Sequence, residues 1–367
     1  MKILYVTTVG LTMTFFGSII RELLDKGHTV DIACNESDSQ VPDCYRDWGC
    51  GIHRIDCVRT PFAAGNARAV GQIRRLIREN GYGFVHCHTP IAAACTRLAC
   101  KDLRKEGVRV FYTAHGFHFY KGAPLKNWLL YYPVEKICAH FTDTLITINR
   151  EDYALAERKM KAKHVVYIPG VGIDVDKFRN TVVDRPAKRK ELGIPEDAFL
   201  LLSVGELNEN KNHQIVIRTL AELNDPSIHY AIAGNGALAE YLTALAEQLG
   251  VADRVHLLGY RRDVAELYKT ADVDVFPSIR EGLGLAAIEG MAAGMPLICS
   301  DNRGTRDYAV NDMNALVCGN VGDYAEAISR LRVDHQLREE LGRAGSQSAE
   351  RFSVGEVNRE MLRMYGE

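Results

Sequence analysis

Two glutamates eight residues apart, Glu281 and Glu289, stand in a small, mostly apolar, glycine-rich stretch, SIREGLGLAAIEGMAAGMPLICS, residues 278–300. From about Leu283 the residues favour helix, and Gly294 followed by Pro296 is a stop signal. On that helix Leu285, Ile288, Glu289 and Ala292 share one face, which puts Glu289 on the apolar stripe. A carboxylate there is costly unless it is paired or hydrogen-bonded. Hydroxyls of a bound polyol would do this. Glu281 precedes the helix, where free backbone N–H groups can hold an anion, so a phosphate between the two acids would meet the helix N-terminus. The plain alternative is a helix-start acid at Glu281 and a Glu289 that leans into solvent. The pattern alone leaves both open.

Three further stretches carry chemistry. In SVGELNENKNHQ (203–214) a strand turns into a helix, and Lys211 follows Gly205 by six residues, within reach of a phosphate at that helix start. A solvated lysine is the alternative. AIAGNGALAEYL (231–242) matches G-x-G-x-x-A after a strand, nominally a dinucleotide fingerprint, though it sits in the second half of the chain. YTAHGFHFYKG (112–122) ends a strand with His115, His118, Tyr120 and Lys121, and His115 lies nearest the strand end, where substrate is met. His86-Cys87-His88 looks metal-like, but it ends the strand-like run FVHCH. The ten cysteines include no CxxC pair, and no metal is expected.

These groups need a scaffold. The 367 residues suffice for two domains. The first half alternates strands and helices: KILYVTT, HTVDIACN, a weaker GIHRIDC, GFVHCH, RVFYTAH and TLITIN. A charged, less ordered stretch after PGVGIDVDKF marks the entrance to a second domain. There the rhythm restarts with FLLLSVG, HYAIAG, RVHLLG, VDVFPS and PLICS, and Asp263-x-x-Glu266 reads as a capping box. The expected fold class is α/β: two Rossmann-like, doubly wound parallel-sheet domains facing across a cleft. The expected boundaries are 1–172, 173–350 and a closing helix over 351–367.

A net charge of −2 argues against a nucleic-acid partner. Residues 3–20 carry no charge, but four threonines, two glycines and a serine break the run, so neither a signal peptide nor a membrane span is expected. Residues 68–106 hold eight Arg or Lys, among them Arg74, Arg75 and Arg78, against three acids. Such an excess could attract anionic lipid or a lipid diphosphate. It could equally be the solvated faces of two helices.

Taken together, these motifs resemble the retaining GT-B enzymes of glycosyltransferase family 4. The resemblance runs through PS followed by Glu281-x7-Glu289 and G-x-P-L-I, the phosphate loop SVGELNENKNH, LGYRRDVAELYKTADVDVFPS, YTAHGF, and FSVGEVNREMLRMY as a closing helix. It spans nearly the whole chain and is nearest to bacterial capsule and exopolysaccharide enzymes. It implies that Glu289 binds ribose hydroxyls and Glu281 the donor sugar, with the backbone of Gly282, Leu283 and Gly284 near the sugar and diphosphate. Lys211, beside Gly205, would neutralise the leaving diphosphate. Main chain near Tyr260 and Arg261 would meet the base, and His115 the donor sugar. The N-terminal loop with Gly17 would approach donor and acceptor. His118, Tyr120, Lys121 and the Arg74, Arg75, Arg78 group would serve acceptor or membrane.

The implied partners are a UDP-sugar, as substrate with no cofactor, and a lipid-linked or other glycan acceptor at the cytoplasmic face of the membrane. Two departures stand out. Glu206 occupies a place where relatives carry arginine, and the N-terminal loop keeps only Gly10 and Gly17. A nucleotide-sugar epimerase, an NAD-dependent oxidoreductase using the Gly234–Gly236 loop, and a silent sugar-nucleotide-binding subunit are the competing readings.

Overall fold

The computed structural model describes residues 1–366. The chain divides into two compact units, one of Met1–Val171 together with the segment from Val357 onward, the other Gly172–Glu356.

The first unit is built on seven strands: β1 Lys2–Val9, β2 Thr29–Asn35, β3 Ile52–Arg54, β4 Phe84–His88, β5 Arg109–Ala114, β6 Thr144–Thr147 and β7 His164–Tyr167. Their order is β3-β2-β1-β4-β5-β6-β7, every pair parallel. β1 and β4 are buried along nearly their whole length, as expected of strands covered on both faces. One face packs under helices Ala64–Asn80 and Pro90–Ala99, around Ile73, Ile77, Ala92 and Tyr112. The other packs under Gly17–Asp25 and the closing helix Val354–Tyr365, around Tyr5, Ile20, Phe111 and Met361. The Tyr365 hydroxyl lies 2.6 Å from that of Tyr5 and 2.5 Å from His86 Nδ1, which ties the chain end to the centre of the sheet.

The second unit has six parallel strands: β8 Phe199–Val204, β9 Ile228–Ala233, β10 Val255–Gly259, β11 Val273–Phe276, β12 Leu297–Ser300 and β13 Leu316–Cys318. Their order is β10-β9-β8-β11-β12-β13. In both units the order reverses beside the first strand, the topological switch point where ligands of open α/β sheets bind.

Several local expectations change. The loop after β1 is a 3-10 turn, Gly10–Phe15. A Cβ at Gly10 would lie 2.5 Å from the backbone of Gln40 and Val41, so this glycine serves packing. Gly17 has ordinary space and opens a helix. The capping box at Asp263 does not form. Its carboxylate instead binds Arg261 and Lys188 (2.6 Å), and Glu266 binds Lys188 as well (2.8 Å). A capping box does form at Asn320 and Asp323. The expected closing helix begins at Val354, after a 3-10 turn Glu350–Phe352, and the hand-over falls at Val357, with Ile173 paired to Ser353 inside the second unit. No helix among the described residues is long and apolar enough to cross a membrane.

Candidate active site

In the second unit β8 and β11 are neighbours, so the loops that leave their C-terminal ends run side by side. Ile279 N–H donates to the Asn210 carbonyl (2.8 Å), and Asn210 Nδ2 donates to the Arg280 carbonyl (2.9 Å). This zipper places Lys211 against Glu281, with Nζ donating to Oε1 at 2.7 Å. Both side chains are mostly buried, and the ammonium also lies 5.1 Å over the Phe276 ring. A Cβ on Gly205 would come within 3.3 Å of the Lys211 stem, so the missing side chain leaves that stem its path. A partly buried pair is screened less than a surface pair and holds both charges where an incoming ligand can compete for them.

Beyond Glu281 the chain turns at Gly284, whose φ of +91° suits glycine. A Cβ there would press within 2.9 Å of the Phe276 ring and 3.0 Å of the Tyr308 hydroxyl. The helix Leu285–Ala292 follows. Behind the loop, Asn302 Nδ2 donates to the Ser278 carbonyl (2.9 Å) and its Oδ1 accepts from Gly304 N–H (2.9 Å). Arg303 Nε donates to the Glu281 carbonyl at 3.1 Å. The Asn302-Arg303-Gly304 turn therefore braces the Glu281 loop. Sequence reasoning missed it, although Asp-Asn-Arg-Gly directly after β12 carries turn residues.

Glu289 does not lean into solvent. It is half-buried, and desolvation pushes its carboxyl up to about 7 against a weaker opposing pull from Lys177. It makes no side-chain hydrogen bond within the described chain. Asp274 of β11 lies below the same helix, 1% exposed, with its carboxyl pushed well above the usual range by burial and then by Glu289. Gly290 makes room for it, since a Cβ there would fall 2.1 Å from Asp274 Oδ2. A neutral acid thus sits under an acid poised to ionise.

The Gly234–Gly236 turn is filled by the protein itself. A Cβ on Gly234 would meet the Gly205 carbonyl at 1.9 Å, and one on Gly236 the Leu207 carbonyl at 2.3 Å. These glycines let two loops pack, which accounts for the nominal fingerprint without a dinucleotide. The 259–261 loop lies beside them through the Gly234–Gly259 bridge. The Arg261 guanidinium is held by Asp263 (2.8 Å) and Glu191 (2.7 Å), and Tyr260 is exposed, so that loop has main chain to offer a ligand. Glu206 is exposed and its carboxylate accepts from Asn208 in its own loop (3.0 Å).

In the first unit the strand ends bring three histidines together. His86 is saturated: Nδ1 meets the Tyr365 hydroxyl and Nε2 meets the Thr113 hydroxyl (2.8 Å). His88 Nδ1 and His115 Nε2 are 3.2 Å apart, and the Phe16 ring stacks on His88 with centroids 4.1 Å apart. Burial lowers all three, His86 to about 3, His115 to about 4 and His88 well below its ordinary value, so they are neutral at neutral pH. One hydrogen lies between His88 and His115. His88 Nε2 is buried without a partner. If His88 accepted, that nitrogen would be an orphaned N–H; if it donates, the nitrogen is only an unused lone pair, which costs less. His88 therefore donates, and His115 carries its hydrogen on Nδ1.

His118 stacks on Tyr131 with centroids 4.5 Å apart. The Tyr120 carbonyl accepts from Trp128 Nε1 (3.2 Å). Of the eight basic residues over 68–106, five (Arg68, Arg75, Arg78, Lys101 and Lys105) are exposed, and several of the eight have protein partners. Arg97 is fully buried against Glu135 (2.8 Å), Arg104 binds Asp143 (2.6 Å), Arg78 binds Glu106 (3.2 Å), and Arg74 caps the Ala99 carbonyl (3.2 Å). Arg75 is exposed.

The profile of "Glycosyl transferases group 1" matches residues 184–348, and that of "Glycosyl transferase 4-like" matches residues 2–149. EpsD of Bacillus subtilis (strain 168) is 41% identical over 313 residues, 84% of this chain and 82% of EpsD. The chain belongs to family 4 of the glycosyltransferases. Among its family relatives, the UDP-Gal:alpha-D-GlcNAc-diphosphoundecaprenol alpha-1,3-galactosyltransferase of Escherichia coli is 28% identical over 301 residues, 77% of each chain. The crystal structure of Anabaena HepE in complex with UDP matches all of this chain and all of its own with a TM-score of 0.83 at 17% identity, which shows the shared GT-B fold.

Proposed function

We propose that this glycosyltransferase moves a sugar from a UDP-sugar to a lipid-linked saccharide in the assembly of a bacterial surface polysaccharide, with retention at the anomeric carbon. The observation that carries the reading is the Lys211–Glu281 ion pair at the ends of β8 and β11, with the unpartnered, half-buried carboxyl of Glu289 one short helix away. A nucleoside diphosphate sugar answers each feature. Its ribose hydroxyls supply the hydrogen bonds Glu289 lacks. Its diphosphate competes for Lys211. Glu281, released from the lysine, accepts from a sugar hydroxyl, with the Gly282–Gly284 backbone beside it.

In the step proposed, the bond from the anomeric carbon to the diphosphate oxygen breaks and a bond to the acceptor oxygen forms on the same face. The acceptor's proton passes to the departing phosphate oxygen. Lys211 stabilises charge that grows as the diphosphate leaves, which lowers the barrier without a metal. By the family resemblance His115 is proposed as a group that meets the donor sugar. Uridine is favoured over other bases by the E. coli relative, whose name gives a UDP donor and a diphosphoundecaprenol acceptor. A lipid-linked acceptor would be met at a membrane face, which is where the reading places the enzyme.

Thermal stabilisation by UDP, GDP, ADP and NAD at matched concentration, without metal, tests the donor. A ligand at about 100 times its dissociation constant adds roughly 2.7 kcal/mol. A shift with UDP alone is expected; a shift with NAD alone would overturn the reading.

A further inference from the structure

Two cavities in the first unit share a wall. The first, of about 320 Å³, lies at the C-terminal ends of β1 and β4 and is lined by Thr8, Thr12, Arg59, Thr89 and His118. The second, of about 430 Å³, runs between helices Ala64–Asn80, Pro90–Ala99 and Leu125–Ala139 and is lined by Phe62, Val70, Ala94, Leu98, Leu130 and Val134. Pro90, Ile91 and Tyr131 belong to both. Each has the size of a small-molecule site, and they are opposite in character.

The first cavity offers hydroxyls, an imidazole and a cation. Thr89 is held at φ +62°, ψ 140°, a costly conformation for a β-branched residue. Its hydroxyl meets that of Thr8 at 2.7 Å. Strain of this kind persists where the surroundings over-determine it, typically at ligand sites. The second cavity presents no uncompensated charge. Its one carboxylate, Glu135, is neutralised by Arg97 at 2.8 Å and accepts from the Tyr112 hydroxyl at 3.2 Å. Phe62, in its lining, is 85% exposed at φ +61°. Leu125, Leu129 and Ile137 are exposed elsewhere on the helix that supplies Leu130 and Val134 to the lining. Lys126 and Lys136 lie on that same helix.

We propose that the two cavities are one amphipathic acceptor site, the first taking a sugar diphosphate and the second the proximal part of the isoprenoid tail attached to it. The proposal rests on the reading of the chain as a transferase to a lipid-linked acceptor, and it names the residues that would hold the lipid. Continuity and polarity select this occupant. A molecule that is anionic and hydroxylated at one end and hydrocarbon at the other fills both cavities at once. A helical peptide would leave the Arg59 and threonine end empty.

Calorimetry on the whole protein with farnesyl diphosphate, inorganic diphosphate and UDP separates the parts. Farnesyl diphosphate should bind at least tenfold more tightly than inorganic diphosphate. Ala67→Trp, at an exposed helix position on the groove, should remove that advantage and leave UDP affinity intact. Arg59→Glu should weaken both diphosphates and, again, not UDP. Equal affinity for the two diphosphates in the wild type would overturn the proposal, as would an Ala67→Trp variant that keeps the tail's advantage. If Ala67→Trp reduced association with phosphatidylglycerol vesicles as strongly as it reduced farnesyl diphosphate affinity, the groove would be a membrane-facing surface and the proposal would fail. Loss of UDP binding in the wild type would instead count against the donor reading.

Discussion

The affinity of this enzyme for a nucleotide sugar should rise with pH between about 5.5 and 8, and Glu289 sets the size of the effect. In the free protein its carboxyl is held at about 7 by burial. Ribose hydroxyls donate to the ionised form, so binding should pull the value down and each unit below 7 should cost up to tenfold in affinity. With a free-enzyme value of about 7 and a bound value below the range, the affinity between pH 5.5 and 8 changes roughly 30-fold, about 2 kcal/mol. UDP-glucose is the right probe, because its diphosphate diester does not titrate in this window. His86 and His115, lowered to about 3 and 4, do not titrate there either. Calorimetric titrations at several pH values, on the wild type and on Glu289→Gln, read the effect. The wild type should follow the curve and the variant should bind weakly and nearly without pH dependence. A wild type with flat affinity, or a variant with the wild-type slope, would refute the assignment of Glu289 to the ribose. In the free protein the sign is opposite for stability. The raised carboxyl contributes stability fully below its ordinary value of 4.5, and that contribution is lost as pH rises through about 7.

Other consequences are equally direct. Lys211→Ala should lower turnover of donor far more than it lowers UDP affinity, because charge on the diphosphate grows during bond cleavage; steady-state rates beside calorimetry decide it, and wild-type turnover would remove Lys211 from the mechanism. Histidine nitrogen NMR should find His115 protonated at Nδ1, and His88→Leu should move that hydrogen while His88→Asn, which keeps an N–H near the Nδ1 position, restores it. An unchanged His115 spectrum in His88→Leu would refute the tautomer argument. Gly290→Ala should destabilise the second unit by about 1–3 kcal/mol through the clash with Asp274, and Asp274→Ala in the same chain should recover most of the loss in urea unfolding.

Much of this site was readable in the sequence because it is local. The helical period placed Glu289 on an apolar stripe but left open whether its carboxyl leaned into solvent, and the fold half-buries it. The strands with continuous apolar runs were found for the same reason, since burial on both faces leaves a dense signal. β7 and β13 were not, because they are short edge strands of four and three residues with less to bury. The Lys211–Glu281 pair spans 70 positions and depends on β8 lying next to β11, which no local pattern announces. Asp263 shows the converse failure. Its spacing to Glu266 fits a capping box, but Arg261 and Lys188 compete for the carboxylate and win. Arg97 counted toward a basic surface in sequence and is fully buried in the fold, stacked 4.1 Å from the Tyr112 ring. Charge runs say how many cations a segment carries, while tertiary partners decide how many face water.

The central claim is retaining transfer from a UDP-sugar to a lipid-linked saccharide. It is tested most directly by incubating the enzyme with a panel of α-linked UDP-sugars and a synthetic sugar-diphospho-farnesyl acceptor, then reading the new linkage by proton NMR. The account predicts UDP release coupled to one α-linked product, abolished in Lys211→Ala. A β-linked product would contradict retention, and no transfer from any UDP-sugar in the panel would contradict the assignment of the donor.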